Sequence, residues 1–351
     1  MIVNGGSEKC MVKEYEVSDL TIDWNKLRKK TILISGATGL VGKRLIEVLL
    51  ERNKLFDDNI HIIAIGRNKS KFVQRFLDVN GIACVEFIEQ DINTPVYYEG
   101  DIDYVVHLAS NTHPRLYATD PIGTVLTNIR GTYNLLELVA SQKACRFVFA
   151  SSGDVYGDNR SSKEFFAETD CGYIDCNTLR AGYIEGKRAG EALCNAYREA
   201  KGIDFVTARF CRLYGEEMPE EDSKAISQFI RNAANYKDIV LKSAGIQEFS
   251  YLCISDAITA LLTIMLKGKN GEAYNVADSQ QNATLSLLAS MCAEIGGVRV
   301  IKGLQDEQEK KGASTFSNVK LDASKLYNLG WEARVDLKHG LQETILSLRQ
   351  K

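Results

Sequence analysis

Tyr183 and Lys187 stand four residues apart in Tyr183-Ile184-Glu185-Gly186-Lys187. On a helix that spacing puts phenol and ammonium on one face, about one turn apart. A lysine beside a tyrosine favours the phenolate and lowers the phenol's pKa, which suits it to take a proton from a hydroxyl near neutral pH. The pair also fits a solvated helix face, and the spacing alone does not choose between the two. A second group adds weight to the chemical reading. Phe147-Val148-Phe149-Ala150 has the composition of a buried strand and runs straight into Ser151-Ser152-Gly153-Asp154-Val155-Tyr156-Gly157. In an open α/β sheet functional groups gather at the carboxyl ends of strands, where the Ser152 hydroxyl can bond an oxygen that alternates between alcohol and ketone. The other reading is a Ser/Gly turn.

A third stretch supplies a place for a dinucleotide. Gly36-Ala37-Thr38-Gly39-Leu40-Val41-Gly42 follows the apolar run Thr31-Ile32-Leu33-Ile34-Ser35 and precedes a helix-like run through Leu45, Val48 and Leu49. Glycines at such a strand-to-helix turn let the backbone approach a pyrophosphate at the helix N-terminus. The spacing is Gly-x-x-Gly-x-x-Gly, so the flanking strand and helix carry as much of the argument as the glycines; a structural turn is the alternative. NAD enzymes end the second strand with an acid that bonds the ribose diol. Here Ile62-Ile63-Ala64-Ile65 runs into Gly66-Arg67-Asn68-Lys69, and the nearest acids, Asp57 and Asp58, precede the strand. Arg67 and Lys69 suit a 2'-phosphate, which favours NADP over NAD; a solvated cluster at a helix start is the plainer reading.

The elements that must position these groups alternate. Strand-like segments at 60–65, 83–88, 104–108, 147–150 and 205–208 interleave with helix-like segments at 69–78, 125–142 and 183–200. This pattern predicts an α/β fold, a doubly wound parallel sheet of the Rossmann type. Residues 1–22 read as an N-terminal extension of unknown role and 23–212 as the dinucleotide-binding domain. Residues 213–351 read as a smaller mixed substrate domain, partly interleaved with the first. It has helices near 226–234, 257–266, 285–295 and 341–348 and short strands near 239–241 and 249–252. A cleft between two such domains is where a ligand sits.

Composition narrows the class. With 351 residues, 45% of them hydrophobic, the chain can bury a sizeable core. A net charge of -3 gives no global attraction to nucleic acid or to an anionic membrane. No apolar run reaches the length of a membrane span, and the first thirty residues lack a signal-peptide core, which predicts a cytoplasmic protein. Nine cysteines without a Cys-x-x-Cys pair, Cys171 and Cys176 being the closest two, and four dispersed histidines predict reduced thiols and no metal site.

Several ordered motifs together resemble one family, the extended short-chain dehydrogenase/reductases, in particular those that modify nucleotide sugars. They are the glycine loop at 36–42, Gln90-Asp91-Ile92, His107-Leu108-Ala109-Ser110, Asn128-Ile129-Arg130-Gly131-Thr132, Ser151 to Gly157, Tyr183 to Lys187, and Leu329-Gly330-Trp331. The resemblance spans roughly residues 30–350. It implies that Tyr183 is the catalytic acid/base and that Lys187 assists it and holds the nicotinamide ribose. It implies that Ser152 bonds the substrate hydroxyl. Gly36, Thr38, Gly39, Leu40, Val41 and Gly42 then form the pyrophosphate turn and Asp91 with Ile92 the adenine pocket. Leu108, Ala109, Ser110 and Asn128 line the dinucleotide, and His107 is structural. The partner implied is a nucleotide-diphosphate sugar, and the assembly a homodimer formed through the helices at 125–142 and 183–200. The chemistry implied is oxidation of a sugar hydroxyl at C4 by bound NAD or NADP, with epimerisation as the leading outcome. The alternatives are an NADPH-dependent reductase of a keto-sugar, a decarboxylase or a dehydratase.

Departures from the family pattern fall around the substrate. The 4,6-dehydratases carry Thr-Asp-Glu where this chain has Ser152-Gly153-Asp154, so the acid that protonates a departing hydroxyl is missing and Asp154 is a shortened glutamate. The decarboxylases keep an acid at the Asp154 position and share the string Tyr-x-Glu-Gly-Lys-Arg with Tyr183 to Arg188. Arg212 stands where the family often has asparagine, and Gly245-Ile246-Gln247-Glu248-Phe249-Ser250-Tyr251 lacks the usual arginine. Gln247 and Tyr251 are candidate substrate contacts there. Arg212 offers a cation to a phosphate or carboxylate, or is simply a surface arginine.

Overall fold

Ile32, Leu33 and Ile34 are fully buried in β1 (Thr31–Ser35), as a parallel strand covered on both faces by helices requires. The computed structural model describes residues 15–350 apart from Leu20, Asp78, Asn80, Lys143, Ala144, Ser161, Ser162, Ala313 and Thr315. β2 (His61–Gly66), β3 (Glu86–Glu89), β4 (Tyr104–His107), β5 (Arg146–Ser152) and β6 (Asp204–Phe210) complete the order β3-β2-β1-β4-β5-β6, and every pairing is parallel. A seventh parallel strand, Ala273–Val276, lies outside β6. The strand order reverses between β1 and β4, so the turns that follow these two strands meet at the carboxyl edge of the sheet, where ligands of doubly wound folds bind.

Chain from the second half thus enters the first sheet. The rest of that half builds a smaller sheet around Glu248–Cys253, which pairs with Arg212–Tyr214 and Asn318–Val319 in parallel and with Asn282–Thr284 antiparallel. Arg212–Tyr214 follows β6 after a single residue, so one continuous segment hands the chain from the large sheet to the small one. The helix Ile254–Lys267 is buried on all sides from Ile254 to Leu266, the pattern of a helix sandwiched inside a fold.

Three local expectations are corrected. The helix expected at 125–142 is broken into Pro121–Leu126, a π-helical turn Thr127–Gly131, and Thr132–Ser141. The wide turn is held by side chains, with Asn128 Nδ2 donating to the Thr124 carbonyl at 2.9 Å and Thr132 Oγ1 to the Asn128 carbonyl at 2.6 Å. The strand expected at 83–88 begins only at Glu86, because Gly81 turns left-handed (φ 83°) into a 3-10 turn at Ile82–Cys84. The helix expected at 69–78 stops at Arg75, with Phe76 as its C-cap.

Of the N-terminal stretch, residues 15–19 and 21–22 are described. Glu16 is fully buried and paired with Arg44 at 2.5 Å, and Arg52 donates to the Val17 carbonyl at 2.6 Å. Both arginines belong to the helix Leu40–Phe56 behind the glycine loop. Among the described residues every cysteine is free, no group of side chains has a metal-binding arrangement, and no helix is long and apolar enough to cross a membrane.

Candidate active site

The glycine loop turns at Gly36, whose φ of 73° is left-handed; a Cβ there would stand 2.7 Å from the Ala109 nitrogen. A Cβ on Gly42 would stand 2.3 Å from the Gly36 carbonyl oxygen. These two glycines let backbones pack, Gly36 against the turn after β4 and Gly42 against its own loop. Gly39 differs: its Cβ would meet only the Gly36 oxygen, at 3.3 Å, and it caps the 17-residue helix Leu40–Phe56. Thr38, Gly39, Leu40 and Val41 are all partly exposed there. A partly open loop with unpaired helix N–H groups suits a diphosphate, so the chain fits a dinucleotide. When bound, a nicotinamide dinucleotide would supply hydride acceptance and return.

Other proposed dinucleotide contacts fall around the same edge. Ser110 Oγ donates to Asn128 Oδ1 at 2.9 Å, and Asn128 packs against Gly186, where a Cβ would be 2.9 Å from its own. The π-helical turn thus tethers the β4 loop to the helix that carries Tyr183. Ile92 is buried against Gly131, and partly exposed Asp91 accepts from the Asn93 amide at 2.9 Å. His107 is fully buried between Ser35 Oγ (2.8 Å) and Thr132 Oγ1 (3.1 Å), and burial pushes its pKa down to about 3 with help from Lys187. It is therefore a neutral bridge between β1, β4 and the 127–141 segment. Arg67 is exposed just past β2.

The helix Ala181–Lys201 carries Tyr183 and Lys187 with both side chains buried. Lys187 Nζ donates to the Ala150 carbonyl of β5 at 2.7 Å and lies 5.2 Å from the Phe149 ring centre. Tyr183 stacks on Tyr117 with centroids 5.0 Å apart. The expectation that Lys187 lowers the phenol's pKa is corrected. Burial pushes the Tyr183 phenol up to about 12, Asp154 adds to the rise, and a hydrogen bond with Ser152 together with Arg180 and Arg212 opposes it. Burial also drives the Lys187 ammonium down to about 7, with Glu191 pulling the other way. Removal from water dominates both shifts.

Ser152 ends β5, and its hydroxyl accepts the Asp154 amide at 3.2 Å. Gly153 packs tightly, since a Cβ there would be 3.0 Å from Leu321 Cδ1. Asp154 is buried between two arginines, its Oδ2 2.6 Å from Arg180 Nη2 and its Oδ1 3.3 Å from Arg212 Nη2. Burial raises its pKa, but Arg212 and Arg180 more than reverse that, and the carboxyl stays below its ordinary range. It is a carboxylate without a proton to give. A cavity lined by Arg180, Arg212, Lys224, Gln247, Phe249 and Tyr251 opens beside it. Within it the Gln247 amide is taken up by the Ser314 and Phe316 carbonyls at 2.8 and 3.2 Å.

Three supports have no signature in the sequence. Arg180 precedes Tyr183 by three residues and clasps Asp154 from the start of the helix. Tyr117 reaches Tyr183 from the helix Pro114–Thr119. Arg209 on β6 pairs with Glu191 at 2.6 Å and donates to Tyr156 Oη at 3.0 Å, while Ser151 donates to Glu191 at 2.5 Å. This network clamps the 151–156 turn to the helix Ala181–Lys201. Arg209 in β6 and Arg180 at the helix start are visible only as charged residues, and nothing local names their partners.

Fold and site together define a Rossmann-type scaffold that brings Ser152, Tyr183 and Lys187 together at the carboxyl end of β5. Residues 32–277 match the profile of the NAD dependent epimerase/dehydratase family, and the chain belongs to it. It is 28% identical over 332 residues to UDP-glucuronic acid decarboxylase 1 of Xenopus tropicalis, covering 92% of this chain and 73% of that protein. Its fold is similar to UDP-glucose 4-epimerase of Thermotoga maritima, with a TM-score of 0.77, 23% identity and coverage of 91% of this chain and 99% of the other. It is also similar to a Y149F mutant of UDP-glucuronic acid 4-epimerase from Bacillus cereus, with a TM-score of 0.76, 23% identity and the same two coverages.

Proposed function

We propose that the chain oxidises the C4 hydroxyl of a nucleoside-diphosphate sugar using bound NAD(P) and returns the hydride to the same molecule, so that the net reaction is epimerisation. Ser152 bonds the reacting oxygen and Tyr183 takes and gives back its proton. Lys187, anchored on Ala150, assists Tyr183 and holds the dinucleotide. The observation that carries this reading is Asp154: ionised between Arg180 and Arg212, it has no proton for a departing hydroxyl, and Gly153 supplies none. Elimination of water is therefore disfavoured, whereas epimerisation needs no second acid. Decarboxylation is the second reading, favoured by the relatives named UDP-glucuronic acid decarboxylase.

Product analysis tests both. Incubation with NAD and either UDP-glucose or UDP-glucuronic acid is expected to give the 4-epimer with all carbons retained and no net consumption of dinucleotide. Release of carbon dioxide from the uronate supports the second reading. Stoichiometric oxidation of NADPH on a keto-sugar, with no epimer, overturns both in favour of a reductase.

NADP is proposed as the slightly preferred dinucleotide, supported by exposed Arg67 following Gly66 where an acid would repel the 2'-phosphate. Replacing Arg67 with alanine is expected to weaken NADP by about tenfold while leaving NAD within a factor of about two. Equal loss for both in a binding titration would remove Arg67 from this role. A homodimer is also proposed, supported by exposed Ile122 and Tyr133 on the segments 121–126 and 132–141; light scattering at the monomer mass would refute it.

A further inference from the structure

The stretch before β1 ties two parts of the fold together. Val17 and Ile22 are buried. On one side Arg44 and Arg52, from the helix that the glycine loop begins, hold the Glu16 carboxylate and the Val17 carbonyl. On the other side Asp19 faces Arg334 at 3.9 Å, and Ser255, at the start of the buried helix Ile254–Lys267, bonds Glu16. The described residues of 15–22 therefore form a strap between the dinucleotide half and the second half of the chain.

The strap meets crowded charge at Arg44. That guanidinium faces Glu16 at 2.5 Å, Glu47 at 3.4 Å and Glu217 at 3.5 Å. Glu47 also has Lys43, at 2.5 Å, which leaves two buried carboxylates, Glu16 and Glu217, sharing one guanidinium. Glu217 has the longer contact, and its Oε2 is buried with no hydrogen-bond partner among the described residues. Two carboxylates on one cation, out of water, favour a proton held between them. Burial raises the pKa of both, Glu217 to about 7; Arg44 opposes the rise and Glu47 adds to it, as does Glu216 for Glu217.

The charges farther out have partners of their own. Glu216 accepts from Ser347, Glu221 pairs with Lys71 at 2.6 Å, and Asp222 pairs with Lys224 at 2.7 Å. Asp256, on the buried helix, accepts the Arg334 and Val335 amides, and burial pushes its pKa to about 7 as well. Arg75 is spread over Glu217, Glu47, Glu221 and Glu220. Arg75 is also the link to the dinucleotide turn, because it donates to the Glu217 carbonyl and, at 3.4 Å, to the Thr38 carbonyl. Glu217 is thus tied to that turn twice, by its side chain through Arg44 and by its backbone through Arg75.

We propose that Glu16 and Glu217 are positioning residues that share a proton, and that this proton seats the strap and holds the glycine loop in the form that retains a dinucleotide. This rests on reading residues 36–42 as the dinucleotide turn and adds a control to it. With the strap seated, the pair keeps its extra proton up to about pH 7; a carboxyl released to water gives it to solvent near 4.5. Seating is therefore favoured at low pH, loses that advantage as pH rises from about 4.5 to about 7, and is fully penalised above. Two bare carboxylates on one arginine then push the strap off.

Two readouts on the full chain test this. Release of bound NAD is expected to be about tenfold faster at pH 8 than at pH 5.5. Backbone hydrogen exchange in peptides covering residues 15–22, corrected for its intrinsic pH dependence, is expected to quicken over the same range. Glu217→Gln keeps the shape without the charge and is expected to hold both readouts at their acid values throughout. Glu16→Gln is expected to flatten them as well, since Arg44 then serves one carboxylate of the pair, and melting curves check both folds. A pH dependence of NAD release that survives in Glu217→Gln belongs to Lys187 or Asp256 and overturns the proposal. Strap exchange that ignores pH in the wild type overturns it too. Strap exchange that follows pH in a protein that binds no nicotinamide dinucleotide at any pH supports the shared proton and counts against the dinucleotide reading alone.

Discussion

Replacing Tyr183 with phenylalanine is expected to cut turnover of a nucleotide sugar by about 10²–10⁴-fold, the usual range for removing a positioned acid/base. The ring stays, and with it the stack on Tyr117 at 5.0 Å and the helix packing; only the hydroxyl goes. Dinucleotide binding is expected to fall by no more than about tenfold, the worth of one hydrogen bond. The split matters because Tyr183 is buried and central, so a general loss of folding would lower both quantities together. Kinetics on the purified variant, with a fluorescence titration of NAD and NADP, separates the two. Turnover within a few-fold of wild type would sink the proton-transfer role, leaving Ser152 and Lys187 without the group they surround.

Much of this centre is legible in the sequence, for a physical reason. The apolar run before Gly36, the run before Ser151 and the four-residue step from Tyr183 to Lys187 are local patterns, and local patterns are what periodicity reports. The Tyr183 and Lys187 side chains do share a helix face, and β5 does deliver Ser152 beside them. What escapes is whatever depends on partners far away in the chain. Asp154, Arg180 and Arg212 come from the 3-10 turn after β5, the start of a helix and a different sheet. No spacing rule links them, yet their charges decide whether Asp154 is an acid or a carboxylate. The π-helical turn at Thr127–Gly131 escapes likewise, because a wide turn follows from hydrogen bonds made by Asn128 and Thr132 and not from the apolar period. The seventh strand, Ala273–Val276, is four residues long and returns to the first sheet from within a region whose neighbours build the second. The rise of the Tyr183 pKa is hidden from the sequence for a related reason. The sequence shows the lysine one turn away but not how little water reaches either group.

That dryness gives Lys187 its own signature. Its side chain is buried, and removal from water drives its pKa from an ordinary 10.5 to about 7. In the unfolded chain it still holds its proton up to about 10.5, so between those values the unfolded state binds more protons. Stability contributed through this group therefore rises as pH rises from about 7 toward 10, and the penalty for burying the ammonium is full below about 7. Lys187→Met keeps a chain of similar length without charge and removes the penalty. At pH 6 the variant is expected to be more stable than wild type by on the order of 3–4 kcal/mol. That is the linkage value of a shift this size less about one hydrogen bond, the one given to Ala150. The gap closes and reverses slightly toward pH 10. Denaturant unfolding of both proteins at several pH values measures the difference, and a pH-independent offset would show that Lys187 is not strained by burial. The same variant is expected to bind the dinucleotide poorly and to turn over little. A protein that would be more stable without a charge, yet less active, is holding that charge for chemistry. Because Lys187 sits on the same helix face as Tyr183 and is tied to the strand that carries Ser152, its cost is borne where the reaction is proposed to occur.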